Sequence, residues 1–276
     1  MKNFVLLSLL ALSLNSCLKN SLRKDQSALV NYRIESAFDE MTNISDQAVT
    51  GNMVFYKSGK VIFAKPGYDL STVKTPCNVI ITLDTTAFPK TVTVDYGTEN
   101  CDCNDGKKRR GKIITTFTGP YLATGTVITH TPEDYFVNDV KIEGTKTVEN
   151  MGQNNQGQPY FNVSINGTGT MTDGMIANYT STRVRTWTEG YNTLLNRFDD
   201  VFEITGTADA TFSTGGGYTG ATVSPLKIKV GCGFPVSGIV ELTPNGKPTR
   251  TIDYGDGTCD RQIKVTVNGR SITIGL

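Results

Sequence analysis

The strongest constraint on this chain is a unit that it contains twice. Val92-Thr93-Val94-Asp95-Tyr96-Gly97-Thr98-Glu99-Asn100-Cys101 is answered by Thr251-Ile252-Asp253-Tyr254-Gly255-Asp256-Gly257-Thr258-Cys259. In both copies an alternating strand runs into Asp-Tyr-Gly, and a cysteine follows six residues after the Asp. Upstream of each lies another cysteine, Cys77 or Cys232, with a β-branched strand after it. Downstream, Gly111-Lys112-Ile113-Ile114-Thr115-Thr116 corresponds to Gln262-Ile263-Lys264-Val265-Thr266. Alternating apolar and polar residues describe half-buried strands, and the Asp and Gly between them describe tight turns. A chain punctuated in this way is an all-β antiparallel meander, as an extended sheet or a sandwich. The two units cover about residues 77–118 and 226–276.

The duplication proposes two disulfides, Cys77–Cys101 and Cys232–Cys259, and leaves Cys103 over. In the chain-entropy account, closing loops of this length stabilises by about 3–4 kcal/mol each. Cys101 and Cys103 share a face of an extended segment, so Cys103 can substitute for Cys101 in its pair. Cys-x-Cys is tighter than the usual zinc knuckle, so the cysteines predict neither a metal site nor any cofactor.

The start of the chain agrees with an oxidising compartment. Met1-Lys2-Asn3, an apolar run from Phe4 to Leu14, and Leu14-Asn15-Ser16-Cys17 compose a secretory signal that ends in a lipobox. Residues 1–16 are then removed, Cys17 is acylated on its thiol and amine, and residues 17–25 form a tether. Two or three acyl chains, at about 0.8 kcal/mol per buried methylene, hold a protein to a membrane. The competing reading is an ordinary secretory signal with an incidental cysteine.

Residues 26–50 carry the chain's one helical pattern. Val30, Ile34, Ala37, Phe38, Met41 and Ile44 recur at helical spacing, while Glu35, Asp39 and Glu40 fall mostly elsewhere. The amphipathic helix is expected to lay its stripe on the β body. An acidic polar face disfavours a helix lying on a membrane. From residue 51 to 276 everything reads as strand and turn, compatible with one β domain or two. A first hairpin falls at Met53–Tyr56 and Val61–Ala64. In the central strands Thr, Ser and Asn occupy alternate positions, which predicts one buried and one solvated face.

The lipobox, the helix, both Cys units, the run Asp105-Gly106-Lys107-Lys108-Arg109-Arg110-Gly111-Lys112-Ile113 and Val140-Lys141-Ile142-Glu143-Gly144-Thr145-Lys146-Thr147-Val148 occur together. The same chain closes on Gly246-Lys247-Pro248-Thr249-Arg250 before its second Asp-Tyr-Gly. Over nearly the whole mature length this resembles a family of exported lipoproteins common in Bacteroidota and of uncharacterised function. The resemblance implies a lipid-anchored outer-membrane protein and brings no catalytic residues with it. Leu18-Lys19-Asn20 lacks the acidic run that resembles surface-export signals, so both faces of the membrane remain open.

Composition narrows the function further. A formal net charge of +1 that includes Lys2 argues against nucleic acid, which needs uncompensated clusters of Lys and Arg. His130 is the only histidine, so neither a His-dependent triad nor a multi-His metal site is expected. Its setting, Thr129-His130-Thr131-Pro132, reads as a surface turn. Asp253, Asp256 and Asp260, like Asp102, Asn104 and Asp105, invite calcium but lack the EF-hand register, and tight turns account for them. Any carboxylate pair that folding assembles would suffice for a glycan hydrolase, which is the enzymatic alternative.

Two binding candidates remain. Strand alternation puts Arg183, Arg185, Trp187 and Glu189 on one face, an aromatic platform for a glycan or peptide, or Arg side chains covering a sheet. The run Lys107 to Arg110 with Lys112 could touch anionic lipid, or could be a solvated hairpin balanced by Asp102 and Asp105. The expected function is therefore a lipid-anchored cell-envelope protein, structural or ligand-binding, with the oligomeric state unspecified.

Overall fold

The computed structural model describes residues 26–50, 54–57, 60–63, 79–84, 86–103, 106–193, 196–232, 235–260 and 262–275. The signal segment, Cys17, the tether and Cys77 lie outside the described residues. Among the described residues helix α1 (Gln26–Thr50) comes first and is followed by the hairpin β1 (Val54–Lys57) and β2 (Lys60–Phe63). The remaining strands are β3 (Ile80–Asp84), β4 (Lys90–Asp95), β5 (Cys101–Asp102), β6 (Lys108–Phe117), β7 (Val127–Val137), β8 (Val140–Gln153) and β9 (Pro159–Thr170). After them come β10 (Ile176–Glu189), β11 (Val201–Phe212), β12 (Gly217–Lys229), β13 (Ser237–Pro244), β14 (Arg250–Asp256), β15 (Gln262–Val267) and β16 (Arg270–Gly275). From β3 onward all fourteen form one antiparallel sheet in which chain neighbours are sheet neighbours; β5 alone sits off the path, beside β6. Among the described residues the architecture is thus the all-β meander preceded by one α-helix, with fourteen strands in one sheet and the β1–β2 hairpin apart from it.

The two Cys units are repeated at the level of hydrogen-bond register. Asp95 faces Ile80 on one side and Lys112 on the other, and Asp253 faces Ile239 and Lys264. Val94 lies between Ile81 and Ile113 as Ile252 lies between Val240 and Val265. Each Asp caps its turn in the same way: Gly97 N–H donates to Asp95 at 2.8 Å, and Gly255 N–H donates to Asp253 at 3.0 Å. Tyr96 and Tyr254 turn to the other face and join the apolar cluster under the helix. Cys232 and Cys259 are bonded to one another within the second unit. Cys101 is also disulfide-bonded; the expected partner Cys77 lies outside the described residues. Cys103 keeps its thiol, which donates to the Cys101 carbonyl at 3.6 Å.

Glycine makes room for the helix on the inner face of β9. A Cβ on Gly167 would stand 2.5 Å from the Phe38 ring and 2.8 Å from the Glu143 carbonyl; one on Gly169 would stand 2.7 Å from Ile34. Alanines continue the shallow track at Ala177, Ala208 and Ala210. Into it α1 presses Val30, Ile34, Ala37, Phe38 and Met41, all of them buried. One apolar cluster then runs from Ile113 on β6 to Ile252 on β14.

Candidate functional site

The helix crosses the strands, and its polar contacts record the order. Tyr218 on β12 donates its hydroxyl to Asn31 at 2.9 Å. Glu35 pairs with Arg183 on β10, and Asp39 with Lys146 on β8 at 2.7 Å. Glu40 takes both Arg109 on β6 and Lys107 just before it. In three of these pairs the cation is the deeper partner: side-chain exposure is 5% for Arg109, 4% for Lys146 and 10% for Arg183, against 12%, 42% and 19% for Glu40, Asp39 and Glu35, whereas Lys107 at 30% lies outside Glu40. The acidic flank of α1 is therefore a docking surface for the sheet. Burial pulls Arg183 down to about 10, opposed by Tyr254 and Tyr218, and leaves it charged at neutral pH.

His130 corrects the expectation of a surface turn. It lies within β7, fully buried, with Nε2 3.2 Å from the Thr42 hydroxyl and Nδ1 2.9 Å from Thr115 and 3.4 Å from Ser45. Three hydroxyls satisfy a neutral imidazole, and desolvation, reinforced by Lys146 and Arg185, lowers its pKa to about 3. It joins the C-terminal half of the helix to β6 and β7.

The basic run is also less solvated than its sequence suggests. Lys107 and Arg109 turn inward to Glu40; Arg110 donates to Asp139 at 2.6 Å and stacks on Phe136. Lys108 alone approaches Asp102, at 3.8 Å, with both side chains exposed. Sequence reasoning missed the buried ion pairs. The available signal was parity, since His130 and Lys146 fall on the same alternation as Ile128 and Val148, where a polar group needs a partner.

The expected aromatic patch divides. Arg183, Arg185 and Trp187 do share a face, the one turned toward the helix. Arg183 is held by Glu35, Ser181 and Tyr179. Arg185 stacks 4.2 Å from the Phe202 ring centroid and donates to Tyr121 at 3.2 Å. Trp187 is 7% exposed and donates Nε1–H to Asp200 at 3.2 Å. A β-bulge between Trp187 and Glu189 shifts the register there, and Glu189 is out in solvent beside Lys227. These four side chains form no open platform; the first three cover the inner sheet face.

The Asp-rich turn is occupied by its own backbone. Asp253, Asp256 and Asp260 accept N–H bonds from Gly255, Thr258 and Gln262 at 3.0, 3.1 and 3.0 Å. Among the described residues no three His, Cys, Asp or Glu side chains come together as a metal site.

The outer face presents the other candidate. A row of hydroxyls crosses seven adjoining strands: Thr91, Thr116, Thr129, Thr147, Ser164, Thr182 and Thr207 face one another in register. Beside it lies a second row, Asn166, Thr180 and Asp209. Where the rows meet on β9, β10 and β11 there is a shallow depression of about 160 Å³, lined by Ser164, Asn166, Thr180, Thr182, Thr207 and Asp209. Its chemistry is hydroxyl, amide, methyl and one carboxylate. A smaller crevice of about 30 Å³ lies beside the helix, around the Glu35–Arg183 pair and Tyr254. No known family model, curated protein or solved structure matches this chain.

Proposed function

We propose that this chain is a lipid-anchored protein of the bacterial cell envelope, of the uncharacterised Bacteroidota lipoprotein type, acting by binding rather than by catalysis. The anchor is Cys17, the membrane the outer one, and the binding surface the hydroxyl-rich outer sheet face. The observation that carries the binding reading is the grid of Ser164, Thr182 and Thr207 beside Asn166, Thr180 and Asp209. Short hydroxyl and amide groups in two rows offer donors and acceptors to a neutral, polyhydroxylated polymer, while the Thr methyls meet its C–H edges. A peptide ligand is less favoured, since the aromatic and Arg side chains that would grip it are committed to the inner face. The hydrolase alternative needs two carboxylates about 5–10 Å apart across a cleft. The outer depression has Asp209 alone, and Glu35 in the inner crevice is paired with Arg183.

Two measurements test the reading. Cys17→Ala should yield an unprocessed or soluble product; a variant still processed and membrane-bound would end the lipoprotein reading. Wild-type protein should be retained on an insoluble neutral glucan, and Asn166→Leu with Thr180→Leu should abolish retention. Equal retention of both proteins would remove the outer face as the binding surface.

A further inference from the structure

The anchor and the helix together orient the body on its membrane. Cys17 precedes the first helical residue, Gln26, by nine positions, so the start of α1 stays within about 30 Å of the lipid even with the tether fully extended. That end of the helix is the one over β12, where Asn31 meets Tyr218. Here the solvent-facing side of α1 exposes Leu29, 48% accessible, and Tyr32, 38% accessible, one turn apart, with exposed Arg33 beside them. Farther along the same helix Asn43 is exposed. An apolar residue, a tyrosine and an arginine form the combination that partitions into a membrane–water interface, tyrosine at headgroup level and arginine toward anionic lipid.

We infer that Leu29, Tyr32 and Arg33 rest on the anionic lipid surface that bears the anchor, so that the β12 end of the helix faces the membrane and the β6 end faces away. The inference rests on acylation at Cys17 and adds a fixed orientation to it. Asn43 lies fourteen residues beyond Leu29, or about 21 Å along the helix axis at 1.5 Å per residue, so the two ends report very different depths.

The test uses the acylated full chain in vesicles of phosphatidylethanolamine and phosphatidylglycerol containing doxyl-labelled lipid. Tyr32→Trp and Asn43→Trp are compared, with the buried Trp187 as a constant background. Emission from position 32 should be quenched at least about twofold more than that from position 43. Adding Leu29→Glu and Arg33→Glu to Tyr32→Trp should remove the difference while the protein still floats with the vesicles. Equal quenching at the two positions, or stronger quenching at 43, overturns the orientation. Failure to float sinks the anchor itself, separately from the orientation.

Discussion

The two Cys units have the same turn, the same strand register and the same placement of Asp and Tyr, yet they differ in burial. In the first unit, Ile80 and Leu83 on β3 are 65% and 50% exposed. In the second, Leu242 on the equivalent strand β13 is fully buried and Ile239 and Val240 are partly so. β3 ends the sheet path, whereas β13 is paired on its far side by β12 and lies within the reach of the helix-side cluster. The first unit also carries β5 beside β6, and its strand β6 receives Glu40 from α1. The second unit instead meets the early part of the helix, where Tyr254 is partly buried and its hydroxyl is pushed up to about 12. A repeated sequence thus reproduces what neighbouring strands decide, and its position in the sheet sets what is buried.

The largest expected effect distinguishes the units by pH. Only the first has a buried histidine beside it: with Lys112 matched to Lys264, Thr115 corresponds to Val267, and Thr115 faces His130 whereas Val267 faces Arg270. His130 titrates at about 3 when folded and near 6.5 when unfolded, so the unfolded chain binds the extra proton between those values. Its contribution is complete above pH 6.5 and declines as pH falls toward 3, by roughly 4–5 kcal/mol in all. Between pH 6.5 and 5, above the usual carboxylate range, denaturant unfolding should lose about 2 kcal/mol. In His130→Gln that slope should vanish; an unchanged slope would show that another group titrates.

Next comes the helix–sheet seam. Glu40→Ala strips Arg109 and Lys107 of their carboxylate at the first unit, and Glu35→Ala strips Arg183 near the second. Removing the carboxylate from a buried ion pair costs about 3–5 kcal/mol, and both variants should show it in chemical denaturation. If only Glu40→Ala does, the helix is anchored at its C-terminal half alone.

Disulfide loss should follow at about 3–4 kcal/mol for Cys232→Ala with Cys259→Ala, read as a shift in unfolding midpoint. Non-reducing peptide mapping should join Cys101 to Cys77; a Cys101–Cys103 product would make the first unit unlike the second.

The smallest effect is the sharpest test of equivalence. Asp95→Ala and Asp253→Ala each remove one turn hydrogen bond, about 1 kcal/mol. The two losses should agree within a few tenths of a kcal/mol, and a clear inequality would mean that the turns are not equivalent.

The alternation of the strands, the Asp-Tyr-Gly turns, the helical stripe and the pairing of Cys232 with Cys259 were all legible from the sequence. Each depends on residues close along the chain or on a repeat that announces itself. The helix carboxylates were visible too, but their partners Arg183, Lys146 and Arg109 lie 148, 107 and 69 positions away. The fate of Arg183, Arg185 and Trp187 was decided by which sheet face the helix chose. The hydroxyl row likewise exists only because seven strands align their registers, although each strand's alternate Thr and Ser could be read singly. Local periodicity specifies which residues share a face, whereas only the packed sheet decides what that face meets, because ion pairing and burial are properties of contacts rather than of sequence neighbours.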